Sequence, residues 1–177
     1  NHLCRLDEFP MIASKNTHVE LYRSMFLYEP TIVDYVSKND TVTGFNGVQS
    51  MDKLVIDIDY IKNDKLNGNE TKNKTIDVVE KLEKLNVKET HYNIWFSGTG
   101  FHIHLGNVYN FEDSNQLAKQ VRATMQRDFG DLIDIIYDSR RLIRAGYSFH
   151  KRANLYKIPI SRDELYNIDY HEIANLA

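Results

Sequence analysis

The sequence predicts an α+β fold, because strand-like runs and helical periodicity both occur in it. Residues 53–59 form a short apolar run that ends in two Asp residues two positions apart, which is typical of a strand. Residues 92–97 and 101–105 alternate from face to face and are joined by a Gly-Thr-Gly turn, which predicts a hairpin. Residues from about 75 to 86 and from 117 to 129 carry apolar residues three and four apart, as amphipathic helices do. Hairpins mixed with helices favour α+β over strict strand–helix alternation.

The N-terminal part gives less regular signals. The pattern Thr-His-Val-Glu at residues 17–20 is a capping box and predicts a helix through about residue 28. Residues 31–38 fit a strand or a helix. Residues 42–49 contain two glycines and predict a strand with a bend. Residues 62–74 are polar and rich in Asn and Lys, which predicts a mobile surface loop.

Two further strands and a helix are predicted toward the C-terminus. Residues 133–137 indicate a strand or an extended segment, and residues 155–160 a closing strand. Ser161 is followed three residues later by Glu164, a second capping box that predicts a last helix to about residue 175.

The composition is that of a globular protein. A chain of 177 residues with 42% hydrophobic and 27% charged residues predicts one domain over residues 1–177. No apolar run reaches the roughly 18 residues of a membrane span and no signal peptide is evident, so we expect no membrane partner. The lone Cys4 excludes an internal disulfide and a cysteine-built zinc site. We therefore expect a cytoplasmic protein, and the small Asn- and Lys-rich chain is compatible with a virus or mobile element as its source.

Charge is distributed unevenly along the chain. The formal net charge of -3 argues against indiscriminate nucleic-acid binding. Residues 119–162, however, contain ten Lys or Arg and only four Asp. This basic third predicts a surface for an anionic partner, although a solvated charged face would give the same pattern.

The first chemical motif is the pair of carboxylates at the end of the apolar run. In a strand, Asp57 and Asp59 point to the same face, because side chains alternate with a period of two. Like charges so close repel each other, and a cation between them relieves the repulsion. Hard oxygen ligands of this kind suit Mg2+ or Mn2+. The alternative is that both residues are simply solvated at a strand end.

The second motif is the turn of the predicted hairpin, residues 97–102 (SGTGFH). Successive amides in such a turn can bind an anion, and His102 can donate a hydrogen bond to a phosphate oxygen. The turn precedes a strand and lacks GxxxxGK[ST], so it is not a Walker loop. Two alternatives stay open: a glycine hairpin with a half-exposed histidine, and a zinc site built on His102 and His104.

The third motif lies in the basic third of the chain. Asp134 follows an apolar pair and could complete a metal site, and the arginines at 140, 141 and 144 could neutralise a triphosphate. Surface charges and a loop carboxylate are the alternative. Asp138 is a second candidate for the third acid, but Asp134 fits the preceding apolar residues better.

Together the three motifs resemble those of the archaeo-eukaryotic primase superfamily, which contains the small primase subunit and the primase-polymerases. That pattern is an apolar strand ending in DxD, then SGxGxH, then an apolar-Asp pair followed by a basic stretch with R-x-x-x-S-x-H. Here it is matched by residues 55–59, 97–102 and 133–134, and by Arg144, Ser148 and His150. Two features depart from it: Thr99 stands where the family often has Arg, and one cysteine cannot form the family's zinc module.

The resemblance implies a single primase-polymerase catalytic domain with its motif-bearing core at about residues 44–161. Its expected architecture is an RRM-like antiparallel sheet with an N-terminal α/β part. It further implies two Mg2+ or Mn2+ ions on Asp57, Asp59 and Asp134, which with His102 would form the catalytic group. The nucleotide-binding residues would be Ser97, Gly98, Gly100, His102, Arg144, Ser148 and His150.

The implied function is DNA primase or primase-polymerase activity, a template-directed nucleotidyl transfer in DNA replication. The implied partners are single-stranded DNA, NTP or dNTP substrates, and a helicase or helical accessory domain, fused or separate. Alternatives are a repair or gap-filling polymerase that cannot initiate, a non-catalytic RRM-like module that binds single strands, and a His-x-His metallohydrolase.

Overall fold

The computed structural model describes residues 3–59, 68–106 and 108–177, and it confirms the predicted α+β class. In these ranges the helices are α1 (Phe9–Lys15), α2 (Ile32–Asn39), α3 (Gly68–Lys84), α4 (Leu117–Phe129), α5 (Arg162–Asn167) and α6 (Tyr170–Asn175). The strands are β1 (Tyr22–Ser24), β2 (Leu27–Tyr28), β3 (Gln49–Ser50), β4 (Leu54–Ile58), β5 (Tyr92–Phe96), β6 (Phe101–Leu105), β7 (Leu142–Arg144), β8 (Phe149–His150), β9 (Leu155–Tyr156) and β10 (Ile158–Ile160). Short 3-10 turns cover Glu89–His91 and Gly130–Leu132.

The largest sheet among the described residues has four antiparallel strands in the order β10-β5-β6-β4. Beyond β4, Asp134 forms an isolated antiparallel bridge with Asp57. The chain order β4-α3-β5-β6-α4-Asp134, with Asp134 beside β4, is the β-α-β-β-α-β connectivity of the split βαβ motif. Its last strand is reduced to a single bridge, and β10 extends the sheet at the opposite edge.

The two faces of this sheet have different characters. One face is apolar and packs with residues of α3, α4, α5 and α6 into a single core cluster. Its strand residues are almost wholly inaccessible to solvent: Leu54, Ile56, Ile58, Ile94, Phe96, Phe101, Ile103 and Leu105. The opposite face carries Asp57, Trp95, His102 and His104, because strand side chains alternate. Hydrophobic burial on the first face therefore directs the polar residues to the second.

The N-terminal residues lie along the third motif and order it. Strand β1 pairs with β7, and the amide of Met25 donates to the carbonyl of Arg141. At the other end, the amide of Ala145 donates to the carbonyl of Leu21. Met25 and Phe26 are fully buried in the core cluster, so this pairing is anchored by apolar packing.

The helix predicted from the capping box at residues 17–20 is wrong. Residues 17–19 form a turn instead, and the short strands β1 and β2 lie within the rest of the predicted helix. Tertiary pairing overrides the local signal, because β7 and β3 supply backbone partners along this segment. The predicted bent strand over 42–49 is also wrong, since only Gln49–Ser50 pairs. Residues 31–38, left open above, belong to α2.

Several other predicted element boundaries differ from those of the structure. Helix α3 begins at Gly68, so the loop predicted for 62–74 is wrong from residue 68 onward, and residues 62–67 lie outside the described residues. The segment 133–137, predicted as a strand or an extended segment, forms no strand but begins with Ile133 in an extended conformation and makes one bridge at Asp134. The closing strand is divided into β9 and β10 at Lys157. The last helix is divided too, because Asp169 forms a second capping box with Glu172 and starts a new helix there.

No helix in the described ranges is both long enough and apolar enough to cross a membrane.

The turn between β5 and β6 requires glycine at position 100. A β-carbon there would overlap the carbonyl oxygen of Ile58 and lie 3.0 Å from the α-carbon of Asp59. We expect Gly100→Ala to destabilise the fold by about 1–3 kcal/mol, the range for overpacked sites. Gly106→Ala is the control, because among the described residues its β-carbon would meet nothing nearer than the carbonyl oxygen of His91 at 3.8 Å. Urea unfolding of both variants would measure this, and equal stability would contradict the close approach.

Candidate active site

Three carboxylates from two distant parts of the chain meet at the edge of the sheet. Asp57 lies in β4, Asp59 follows that strand, and the bridge places Asp134 beside them. The amide of Asp134 donates to the carbonyl of Asp57 at 2.9 Å, and the amide of Asp59 donates to the Asp134 carboxylate at 3.2 Å. One carboxylate oxygen from each residue lies within 4.8 Å of the other two. Asp138, the other candidate acid, instead pairs with Arg141.

The environment of this cluster disfavours its negative charge. Burial raises the pKa of Asp57 to about 6, against the opposing charges of Lys157 and Arg141. Burial, followed by the charges of Asp57 and Asp134, raises the pKa of Asp59 to about 6 as well. The pKa of Asp134 is also raised, first by burial and then by Asp57. Three carboxylates held together in this way form a site that a cation would stabilise.

The donor set fits a divalent cation. Within the described residues, Oδ1 of Asp57 is buried and accepts no hydrogen bond, although Nε2 of His102 lies 3.2 Å away. A buried carboxylate oxygen without a partner is energetically unfavourable. Three hard oxygen donors in one place match the ligand preference of Mg2+ and Mn2+. Asp57, Asp59 and Asp134 are therefore the residues that would hold such ions.

The turn of the β5–β6 hairpin packs against the carboxylates. The amide of Ser97 donates to the carbonyl of Gly100, and the amide of Gly100 donates to the hydroxyl of Ser97 at 3.1 Å. Gly98 has a φ of +100°, which glycine adopts without strain. Thr99 donates from its hydroxyl to Asp59 at 3.4 Å. The turn thus contacts the acidic cluster directly.

His102 lies between the carboxylates and a buried lysine. Its Nε2 is 3.2 Å from Oδ1 of Asp57, the residue opposite it in the sheet, and its Nδ1 is 2.7 Å from Nζ of Lys157. Burial, followed by the charge of Lys157, lowers the pKa of His102 well below its usual value. The imidazole is therefore neutral at physiological pH, and it can act as a hydrogen-bond donor without carrying charge.

An open cavity of about 140 Å³ connects these groups. One wall is formed by Asp57 and Asp59, and the hairpin supplies a second wall with Ser97, Thr99 and His102. The third wall, the basic wall, contains Arg144 of β7, His150 of β8 and Arg141, which precedes β7. Tyr22 of β1 completes the lining together with Leu142 and Ile143. Acidic and basic groups thus face each other across a space open to solvent.

Arg144 of the basic wall is held in place by several contacts. The guanidinium of Arg144 donates to the carbonyl of Phe149 at 3.1 Å and to the hydroxyl of Tyr22 at 2.8 Å. It also lies 3.4 Å from the carboxylate of Glu20 and 4.8 Å from the centre of the Tyr22 ring. Contacts with an aromatic face and a carboxylate fix the orientation of a guanidinium. Arg144 is therefore positioned before any ligand arrives.

His150 lies beside the hairpin at the same wall. A β-carbon at Gly98 would lie 3.2 Å from the His150 side chain, so the two segments are in close contact. Nδ1 of His150 accepts a hydrogen bond from the amide of Ala153 at 3.2 Å. Burial and then the charge of Arg144 lower the pKa of His150. The Nε2 of this neutral imidazole therefore carries the proton and can donate a hydrogen bond.

Most residues predicted for the site are brought together, and one is placed elsewhere. Asp57, Asp59, Ser97, His102, Arg144 and His150 line the cavity, and Asp134 belongs to the acidic cluster. Gly98 and Gly100 shape the turn rather than the wall. Ser148 is buried away from the cavity, where its hydroxyl donates to the carbonyl of Ala145 at 2.8 Å. Its hydroxyl stabilises the turn that follows Arg144.

The imidazoles of His102 and His104 both contact the side chain of Lys157. Nζ of Lys157 lies 2.7 Å from Nδ1 of His102 and 3.1 Å from Nε2 of His104. His104 does not line the cavity of the acidic cluster, but a separate one of about 260 Å³. A zinc site built on both imidazoles would need to displace Lys157, so the arrangement disfavours that alternative.

Sequence reasoning did not identify Lys157 or Tyr22 as members of this region, whereas Arg141 was among the arginines proposed to neutralise a triphosphate. Lys157 had one usable signal, since it is the single charged residue in the apolar run of residues 155–160. A lysine within such a run is buried or marks the end of a strand, and here both occur. Tyr22 had no local signal, because its position depends on the pairing of β1 with β7.

No model of a known protein family matches this chain, and a search of curated proteins also found no match.

The raised pKa values predict that stability depends on pH and on metal. Asp57 and Asp59 have pKa values of about 6 in the folded protein and a reference value of 3.8, so the folded state binds more protons between these values. We therefore expect the free energy of unfolding without metal to decrease as pH rises from about 4 to about 6. Above about pH 6, Mn2+ or Mg2+ should raise the free energy of unfolding again. The expected increase is about 1.4 kcal/mol when the free metal concentration is about ten times its dissociation constant.

Thermal unfolding in EDTA and in excess Mn2+, at about pH 5 and about pH 7.5, would test this dependence. The thermal stability of Asp57→Asn should depend less on pH and on Mn2+ than that of the wild type. Asp131→Asn is the control, because Asp131 is an exposed carboxylate outside the cluster. Equal stabilisation of Asp57→Asn and wild type by Mn2+ would show that the cluster does not bind the ion.

Proposed function

We propose that the chain is the catalytic core of a DNA primase or primase-polymerase similar to the archaeo-eukaryotic primase superfamily. The observation that carries this proposal is the cavity in which a three-carboxylate cluster faces His102, Arg144 and His150. A nucleoside triphosphate with its divalent cations presents complementary charges: the metal toward the carboxylates and the phosphates toward the basic wall. The reaction would be template-directed nucleotidyl transfer in DNA replication.

The proposed chemistry assigns a role to each wall. Two Mg2+ or Mn2+ ions bound by the carboxylates would activate the attacking 3'-hydroxyl and neutralise charge on the α-phosphate. Arg144 would contact the phosphates, with an orientation already fixed by Tyr22 and Glu20. His102 and His150 would donate hydrogen bonds from neutral rings to phosphate oxygens. Ser97 would act mainly through the turn that its hydroxyl stabilises.

The fold supports the same proposal. The β-α-β-β-α-β connectivity, with the acids at the edge of an antiparallel sheet, agrees with the RRM-like core that the resemblance implies. The resemblance also implies an N-terminal α/β part, and the N-terminal residues form two helices and short strands, of which β1 pairs with β7 beside the cavity. The sheet face that carries Asp57 and His102 is the one not covered by the helical core.

Template contacts are proposed for the basic third of the chain. Lys151 and Arg152 are exposed in the turn after His150, next to the cavity. Tyr147 and Tyr156 expose 56% and 40% of their surface, which leaves aromatic faces available for stacking on bases. Single-stranded DNA would bind here, with NTP or dNTP as substrate, and a helicase or helical accessory domain as a further partner.

Nucleotide incorporation on single-stranded DNA with Mg2+ or Mn2+ tests the proposed activity. We expect Asp57→Asn to reduce incorporation at least about a hundredfold while the protein stays folded, because one metal ligand is lost. Asp131→Asn should retain wild-type activity. Products on unprimed template would establish a primase, and products on primed template alone a gap-filling polymerase. Wild-type protein that binds single strands without incorporation in either metal would contradict the enzymatic proposal and favour a binding module.

The two histidines of the hairpin should differ in their effects. We expect His102→Ala to raise the apparent KM for the nucleotide by about tenfold, because His102 lines the cavity and would contact the phosphates. His104→Ala should have a smaller effect, because His104 lies outside that cavity. Steady-state kinetics at varied nucleotide concentration would measure both. Equal losses at the two positions would favour a reaction centred on the His-x-His pair.

A further inference from the structure

We propose that Lys157 is a positioning residue that fixes the tautomers of His102 and His104 and so directs the Nε2 proton of His102 toward Asp57 and the cavity. The assignment of tautomers rests on the three contacts of the Lys157 Nζ and on this group being an ammonium ion. Its kinetic consequence rests on the proposed nucleotidyl transfer. The two parts can be tested separately.

Lys157 is buried among hydrogen-bond acceptors. None of its surface is accessible to solvent. Its Nζ lies 2.7 Å from Nδ1 of His102, 3.1 Å from Nε2 of His104 and 2.9 Å from the carbonyl oxygen of Arg144. The same Nζ lies 5.5 Å from the centre of the Trp95 ring. A lysine so completely buried is rare, and it persists only where its donors are satisfied.

The number of partners matches the number of donors of an ammonium group. An ammonium has three N–H bonds and no acceptor, and the three nearby atoms can each accept one bond. The carbonyl of Arg144 can only accept. If both imidazole nitrogens also accept, then His102 carries its proton on Nε2 and His104 carries its proton on Nδ1. Burial lowers the pKa of Lys157, whereas the carboxylate of Asp57 favours its charged form.

The tautomer of His102 matters because its other nitrogen faces the acidic cluster. Nε2 lies 3.2 Å from Oδ1 of Asp57, within donor distance of an oxygen that has no hydrogen-bond partner in the described part of the chain. With the proton on Nδ1 instead, Nε2 would present a lone pair to a carboxylate, and the two would repel each other. Lys157 therefore selects the ring form that stabilises Asp57 and offers a donor to the cavity.

Lys157 also connects the histidines to the basic wall. Its amide donates to the carbonyl of Ser148 at 3.0 Å, and its carbonyl accepts from the amide of Tyr147 at 2.8 Å. Its side chain holds the carbonyl of Arg144 at the end of β7. Lys157 therefore links the Arg144 segment to the hairpin, in addition to the pairing of β7 with β1. These backbone bonds persist when the side chain is replaced, so the side-chain role can be tested alone.

Long-range proton–nitrogen NMR correlation of the imidazole rings is the direct test. In the metal-free wild-type protein at neutral pH, we expect His102 as the neutral Nε2–H tautomer and His104 as the neutral Nδ1–H tautomer. In Lys157→Met, which keeps the side-chain length, both rings should become tautomer mixtures or change tautomer. Lys88→Met, at an exposed lysine, is the matched control and should leave both spectra unchanged.

The wild-type spectrum alone can overturn the assignment. A proton on Nδ1 of His102 in the wild type would do so, even if Lys157→Met did not fold. An unchanged His102 tautomer in folded Lys157→Met would exclude the positioning role and leave Lys157 with a packing role. Neither result depends on any enzymatic activity.

Kinetics then test the consequence of this positioning. We expect Lys157→Met to raise the apparent KM for the nucleotide about as much as His102→Ala, and the double variant to be no worse than either single variant. A purely structural role would give multiplied effects in the double variant. If tautomers change as expected but neither variant affects incorporation, the positioning stands and the proposed role of His102 in nucleotide binding is wrong.

Discussion

The antiparallel pairing of β4 with β6 is the constraint on which the rest of the site depends. Its register places Asp57 opposite His102 and Val55 opposite His104. The same register sends the alternate residues of both strands into the core, where Ile56 is fully buried. A shift by one residue would move every core side chain to the other face, so apolar burial enforces the position of the polar pair.

The site keeps like charges close together, and the surrounding structure makes this tolerable. Burial and mutual repulsion raise the pKa values of the carboxylates, which makes their ionised forms unfavourable without a cation. Lys157, which contacts the histidines on the same sheet face, and Arg141, at the cavity wall, partly offset this negative charge. The fold therefore holds an acidic cluster at some expense in stability, as functional sites commonly do.

The N-terminal residues contribute to the site through pairing rather than through a motif. Strand β1 lies along β7, and Tyr22 and Glu20 hold the guanidinium of Arg144. A capping pattern at residues 17–20 predicted a helix here, and that prediction was wrong. A capping box contributes only about 1 kcal/mol, whereas a ladder of backbone bonds and the burial of Phe26 contribute more.

The sequence by itself determined the local parts of this protein. It predicted the β5–β6 hairpin, the helix over residues 117–129 and the shared face of Asp57 and Asp59, because side-chain period and turn chemistry act over a few residues. The family resemblance, and no local pattern, grouped Asp134 with Asp57, and only the tertiary structure placed Tyr22 against Arg144 and Lys157 beside His102. Those contacts join segments far apart in the chain. Their energies come from burial and pairing between elements, which no local period records.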